Sequence, residues 1–199
     1  ILNKEGEYEL GIIADTGGII FAIADSGNSW AWHYTGQFVT LGEWSHVAVA
    51  YDGVAGEART YINGELVDAF SQFGAIGDVY PVFNDLMIGG RGNAAGERFE
   101  GQIGEVRVWS TTRTLGDIQS SMDGQLSGAE IGLVGNWRLD EAAGGSVIDQ
   151  SAFGNDGVLG GSEGAAATPS YQGYITDQNT VLNIAVGAGV LANDVDVDG

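Results

Sequence analysis

The sequence predicts an all-β fold, an antiparallel β-sandwich with one short helix, and three observations carry that expectation. Apolar and polar residues alternate with period two in several short runs, the mark of strands with two distinguishable faces. Turn dipeptides punctuate those runs, above all Asn63-Gly64, which best tolerates the two positive φ angles of a type I′ hairpin. Glycine is abundant (34 residues) and proline scarce (2), a mix that suits many short strands joined by tight turns.

The segment Gly42–Asp68, GEWSHVAVAYDGVAGEARTYINGELVD, is the most informative. From Trp44 to Tyr51, Ser45, Val47, Val49 and Tyr51 share one face and Trp44, His46, Ala48 and Ala50 the other. Asp52-Gly53 ends that strand, Arg59–Ile62 forms the next, and Glu65–Phe70 returns after the Asn63-Gly64 turn. Upstream, Ile1–Leu10 and Gly18–Ala24 read as strands around the Asp15–Gly17 turn, followed by Trp30–Tyr34 and Gln37–Leu41, split at Thr35-Gly36. Downstream come a short strand at Asp85–Gly89 and a longer one at Phe99–Ser110. In the latter, Val106 and Val108 share one face and Glu105, Arg107 and Trp109 the other. A helix is expected after Thr114, which caps it with Asp117 as capping-box partner; Ile118 and Met122 lie on one face, and Gly124 stops it. The strand Ile131–Leu139 is expected to point Ile131, Leu133, Trp137 and Leu139 one way and Asn136 and Arg138 the other. Val147–Asp149 and Val158–Leu159 bracket a final tight turn.

At 199 residues the chain holds one sandwich-sized domain and a fragment, and a chain of this length buries about 70% of its unfolded surface without help from disulfides or metals. The pattern assigns residues 1–159 to the sandwich. Residues 160–170, GGSEGAAATPS, read as a linker, and 171–199 as the start of a second module. The formal net charge is −20. That balance disfavours nucleic acid and anionic membranes, which need basic patches, and favours divalent cations. There is no cysteine, which excludes disulfide scaffolds and thiolate chemistry without placing the chain in a compartment. No apolar run approaches the ~18 residues of a membrane span. The chain opens at Ile1 inside a strand pattern and is read as an excerpt of a longer polypeptide.

Three blocks resemble one family in its own order: ILNKEGEYELGI at the start, the hairpin followed by DLMIGGR, and EVRVWSTTRTLGDI leading into GLVGNWRLDEAAG and DQSAFGNDG. Together they are similar to laminin-G-like jelly-roll domains of the concanavalin A-like lectin and glucanase superfamily, over nearly all of residues 1–159. Members usually open with earlier strands that have no counterpart here, so part of the sandwich is expected to be missing. The tail, with VLANDVDVDG, resembles the opening of cadherin-like repeats of bacterial surface proteins. The two resemblances imply a non-catalytic recognition or adhesion module of a large secreted or surface-anchored bacterial protein, which binds an extracellular glycan or surface protein beside neighbouring modules. The alternatives are a spacer in a repeat array, with no specific ligand, and a glycoside hydrolase.

Candidate site residues follow from chemistry. Trp30, Trp32 and Tyr34 recur at i, i+2, i+4 and so share a strand face; such a row is either a platform for sugar rings or sandwich core, and the apolar demand of inner faces favours core. Asp194, Asp196 and Asp198 with Gly199 match the first half of a D-x-D-x-D-G loop, which offers oxygens to calcium. Asp140, Glu141, Asp149, Asn155 and Asp156 cluster at strand ends around a turn and offer either a structural calcium site or turn-shaping side chains. Glu5, Glu7 and Glu9 are expected on one strand face. Glycoside hydrolysis needs two carboxylates in different environments; the resemblance to glucanases of this fold implies an E-x-D-x-x-E string, which does not occur here, so no catalytic residue is assigned. His33 and His46 read as structural.

Overall fold

The computed structural model describes residues 1–159 except 26, 28, 73, 83–84, 92–97 and 142–144, together with the strand at 181–186. The strands are β1 (Leu2–Lys4), β2 (Tyr8–Ile12), β3 (Gly18–Ile23), β4 (Trp32–Phe38), β5 (Val47–Asp52), β6 (Glu57–Ile62) and β7 (Glu65–Ser71). They continue as β8 (Leu86–Ile88), β9 (Glu105–Trp109), β10 (Leu133–Trp137), β11 (Ser146–Val147), β12 (Gly157–Val158) and β13 (Val181–Val186), with helix α1 (Leu115–Ser121) after β9. One sheet, A, has the order β4-β3-β2-β1-β8; the other, B, has the order β10-β9-β13-β5-β6-β7; β11 and β12 form a separate ribbon. The expected antiparallel sandwich is present.

Hydrophobic burial between the sheets holds the two layers together. Leu2, Tyr8, Leu10, Ile19, Phe21 and Ile23 from sheet A meet Val47, Val49, Tyr51, Val106, Val108, Val134 and Trp137 from sheet B in one cluster. Each large apolar side chain so buried contributes about 1.5–3 kcal/mol. The predicted alternation of β5 holds: its other face sends Ala48 and Ala50 into a second cluster with Tyr61, Trp109, Leu133 and Ile118 of α1. The helix is fixed as the sequence implies. Thr114 Oγ1 accepts the Asp117 N–H at 3.2 Å, and Asp117 Oδ2 accepts the Thr114 N–H at 2.9 Å. The hairpin turn is also as expected, with φ of 49° at Asn63 and 74° at Gly64 and with Ile62 paired to Glu65. Asn63 Oδ1 accepts the His46 N–H at 2.8 Å, tying the turn to the start of β5.

Several expectations need correction. Ile1–Leu10 is two strands, because Gly6, at φ 83°, turns the chain between β1 and β2; Glu5 and Glu7 sit in that turn and share no strand face with Glu9. Trp32–Phe38 is one strand that crosses Thr35-Gly36, with an irregularity in its register against β3 absorbing Gly36. In β10 a register shift between Leu133 and Gly135 puts Leu133 under the helix and Trp137 between the sheets, while Ile131 lies outside the strand and is exposed. The segment expected to begin a further module supplies β13, paired within sheet B between β9 and β5. Residues 160–180 and 187–199 lie outside the described residues, and with them the expected linker and Asp194, Asp196 and Asp198.

Sheet B also buries charge beneath the helix. Arg107 is fully buried; its Nε meets Glu105 Oε1 at 2.8 Å and its Nη2 meets Glu105 Oε2 at 3.0 Å. Arg107 Nη1 donates to the Ser121 carbonyl at 2.8 Å, satisfying an orphan acceptor of the helix C-terminus. Close by, burial, reinforced by the Arg107 cation, lowers the His46 pKa from 6.5 to about 4. Between those values the unfolded chain binds a proton that the folded chain refuses. Stability is therefore intact above pH 6.5 and is lost as pH falls toward 4, by about 3 kcal/mol for a shift of this size. Urea unfolding of wild type and His46→Gln between pH 7 and 4 checks this: wild type should lose about 3 kcal/mol more than the variant. Parallel pH profiles would rule out His46 as the source.

Candidate functional site

Strand pairing arranges the outer face of sheet A into rows. Trp32 pairs with Ala22, Ala22 with Glu9, Glu9 with Asn3, and Asn3 with Met87, so one row crosses all five strands. Tyr34, Ile20 and Gly11 form the next row. At the edge of this face stand the three sequence-predicted aromatics. Tyr34 is 67% exposed, and Trp30 and Trp32 are half-buried, with ring centroids 6.1 Å apart and planes at 79°. They are not core, contrary to the favoured expectation. The reason is parity: β4 turns His33 and Thr35 inward instead. The His33 ring stacks on Phe70 at 4.1 Å and lies 5.0 Å from Phe21, and its Nε2 bonds Asp68 Oδ2 at 2.8 Å. Thr35 donates its hydroxyl to the Ile19 carbonyl at 2.8 Å. His33 is thus structural, as read, and links β4 of sheet A to β7 of sheet B.

Beside the aromatics lies a buried polar cluster. Arg91 Nη2 is 3.0 Å from Glu5 Oε1 and 3.0 Å from Glu9 Oε1, so one nitrogen joins both carboxylates. Asn3 Nδ2 donates to Glu5 Oε2 at 3.1 Å. Glu5, Glu9 and Asn3 are all buried, while Arg91 keeps 23% of its side chain exposed. Asn3 Oδ1 has no hydrogen-bond partner among the described residues. Sequence reasoning missed this cluster, because Arg91 and Glu5 are separated by 86 positions and no local pattern joins them. The loop after β7 closes the end of the sheet: the Val79 N–H donates to the Gly6 carbonyl at 2.9 Å and the Gly77 N–H to the Ala24 carbonyl at 3.0 Å.

The C-terminal acidic residues are placed differently. Asp149 Oδ1 accepts the N–H groups of Asn136 and Ser151, both at 2.8 Å; its Oδ2 accepts the Ser151 hydroxyl at 2.7 Å and the Asn155 N–H at 2.9 Å. Asp156 Oδ1 accepts the Asp149 N–H at 2.9 Å. Asn155 donates Nδ2 to the Val134 carbonyl, and its own carbonyl accepts Trp137 Nε1. Glu141 Oε1 accepts the Ile148 N–H, and Asp140 pairs with Arg138 at 2.6 Å. These oxygens hold the turn together. Among the described residues no three acidic or histidine side chains converge as a metal site requires. At one end of the sandwich, a recess of about 420 Å³ opens between Tyr51–Val54, Gly74–Ile76 and Ser110–Thr112.

The sequence profile of the concanavalin A-like lectin/glucanases superfamily, laminin G type 3, matches residues 1–119, from β1 into α1. The chain belongs to this superfamily. Among solved structures, this superfamily member is similar to a Bacteroides ovatus protein to which carbohydrate binding is provisionally ascribed, at 27% identity and a TM-score of 0.63. The match covers 79% of this chain and 45% of that one, so the chain spans less than half the length of its structural relative. A Clostridium thermocellum S-layer domain-containing protein is matched at 19% identity and a TM-score of 0.35, over 58% of this chain and 63% of that one. No curated protein matches the chain.

Removing the shared cation tests the polar cluster. Arg91→Ala should destabilise the fold by about 3 kcal/mol, the lower end for breaking a buried pair because the guanidinium is partly exposed. Adding Glu5→Gln and Glu9→Gln should recover part of the loss. Chemical denaturation reads both, and a cost below about 1 kcal/mol, as for surface pairs, would show the cluster to be energetically idle.

Proposed function

We propose that this domain is a non-catalytic carbohydrate-recognition module of an exported, surface-located protein, and that the ligand lies on the outer face of sheet A. The observation that carries this reading is the placement of Trp30, Trp32 and Tyr34 outside the core, on one edge of the outer face of sheet A, where Ala22 and Ile20 are the strand neighbours of Trp32 and Tyr34. Aromatic side chains outside a core suit the apolar patches of a sugar ring. The fold and the provisional assignment of the Bacteroides ovatus relative are consistent with this ligand class.

The carboxylate chemistry supports a binding role over a hydrolytic one. A glycosidase needs one carboxylic acid that holds its proton and a second carboxylate free to act on the sugar or on water. Glu5 and Glu9 instead share the Arg91 guanidinium, which engages the oxygens that would have to act on a sugar or on water. The acidic surface, at a net charge of −20, also suits a neutral glycan better than a polyanion. Calcium remains part of the proposal through Asp194, Asp196 and Asp198, and adhesion follows if the glycan is displayed on a cell.

A glycan array probed with the full 199-residue chain, in calcium and again in chelator, tests this reading. A related set of neutral oligosaccharides should be retained. Trp32→Ala should weaken binding at least about tenfold, with stability changed by no more than about 1 kcal/mol. Silence in both buffers from folded protein, or binding indifferent to Trp32→Ala, would overturn the proposal.

A further inference from the structure

β13 alone among the described strands runs parallel to its neighbours; every other pairing in both sheets and in the β11–β12 ribbon is antiparallel. Its backbone registers Ile184 with Val49 on one side and with Val108 on the other. Since β13 is parallel to both, β5 and β9 run in the same direction, and each turns a row of backbone N–H and C=O groups toward the strand between them. Such rows demand a partner strand. A single strand running the opposite way would be antiparallel to both at once. It would restore the alternation of the sheet and form the more stable kind of ladder.

The walls of this slot specify the chemistry of its occupant. Val49 and Tyr51 of β5 and Val106 and Val108 of β9 belong to the cluster between the sheets. Ala48 and Ala50 face the helix side. A fitting strand therefore carries large apolar residues at alternate positions and smaller or polar ones between them. VLNIAV has that pattern: Leu182 and Ile184 fall on the rows of Val106 and Val108, and Val186 falls on the row of Tyr51. We propose that the slot between β5 and β9 is a strand-docking site for an extended, apolar-alternating peptide segment bound antiparallel to both walls. Val181–Val186 occupies it as a displaceable parallel stand-in. This surface belongs to sheet B and is independent of the carbohydrate face on sheet A.

Two synthetic peptides test it against the full chain, one with the residues of 181–186 in their own order and one with them reversed, each flanked by Ser-Gly. The reversed peptide presents the same side chains on a strand of opposite direction. Hydrogen exchange should show it accelerating the Val181–Val186 amides at least about tenfold while β5 and β9 stay protected, with a smaller effect from the forward peptide. In the full chain carrying Ala185→Pro, which removes a ladder donor from β13, the reversed peptide should bind at least about tenfold more tightly than the forward one. Should that variant fail to fold, the wild-type exchange decides alone. No acceleration by either peptide, or a stronger effect of the forward one, would overturn the proposal. So would wild-type 181–186 amides that exchange at free-chain rates without peptide while β5 and β9 are protected.

Discussion

The register between β3 and β4 determines which rings this sandwich shows to solvent. Phe21 pairs with His33 and Ala22 with Trp32, so His33 turns toward the core and Trp32 away from it. Because side chains alternate along a strand, a slip of one residue would drive Trp32 and Tyr34 inward and expel His33. Two contacts pin the register from the inner side. The His33 ring is clamped between Phe21 and Phe70 and bonded to Asp68, and Thr35 bonds the Ile19 carbonyl. The polar interior of β4 thus fixes the apolar exterior, and the candidate binding face depends on it.

Electrostatics reinforces the division of labour between faces. The chain holds 7 basic residues against 27 acids. Lys4, Arg59, Arg91, Arg107, Arg113 and Arg138 each lie against a carboxylate, and Arg113 also sits 4.0 Å from the centre of the Trp109 ring. The scarce cations serve internal pairs, two of them with carboxylates buried in the sheets, and the surplus acids define the surface. Such a charge balance leaves polyanions unattracted.

Local patterns in the sequence were legible wherever a short-range rule governed them. The Asn63-Gly64 turn, the Thr114 capping box and the two faces of β5 and β9 all rest on neighbours within a few residues. Errors arose where a single backbone event resets parity. Gly6 converts an apparent long strand into a hairpin, and the bulge in β10 reverses the face of Leu133 relative to Trp137. At the site, the i, i+2, i+4 spacing of Trp30, Trp32 and Tyr34 gave their common face and could not give its direction. That direction depends on partners from β3 and β7, distant in sequence. The Glu5–Arg91–Glu9 cluster carried no local signal at all. The calcium candidates Asp149 and Asp156 looked alike as loop acids, and only the structure shows their oxygens engaged by backbone N–H groups of β10 and of their own turn.

The five tryptophans allow one direct measurement of where a glycan sits. Indole N–H resonances followed during titration with an oligosaccharide that the domain retains would report Trp30 and Trp32 on the outer face, with buried Trp109 and Trp137 as internal controls. The account predicts saturable shifts of Trp30 and Trp32 with the two buried indoles unmoved. Shifts confined to backbone amides around Tyr51 and Thr112, with both outer indoles silent, would place the ligand in the recess at the sandwich end and contradict it.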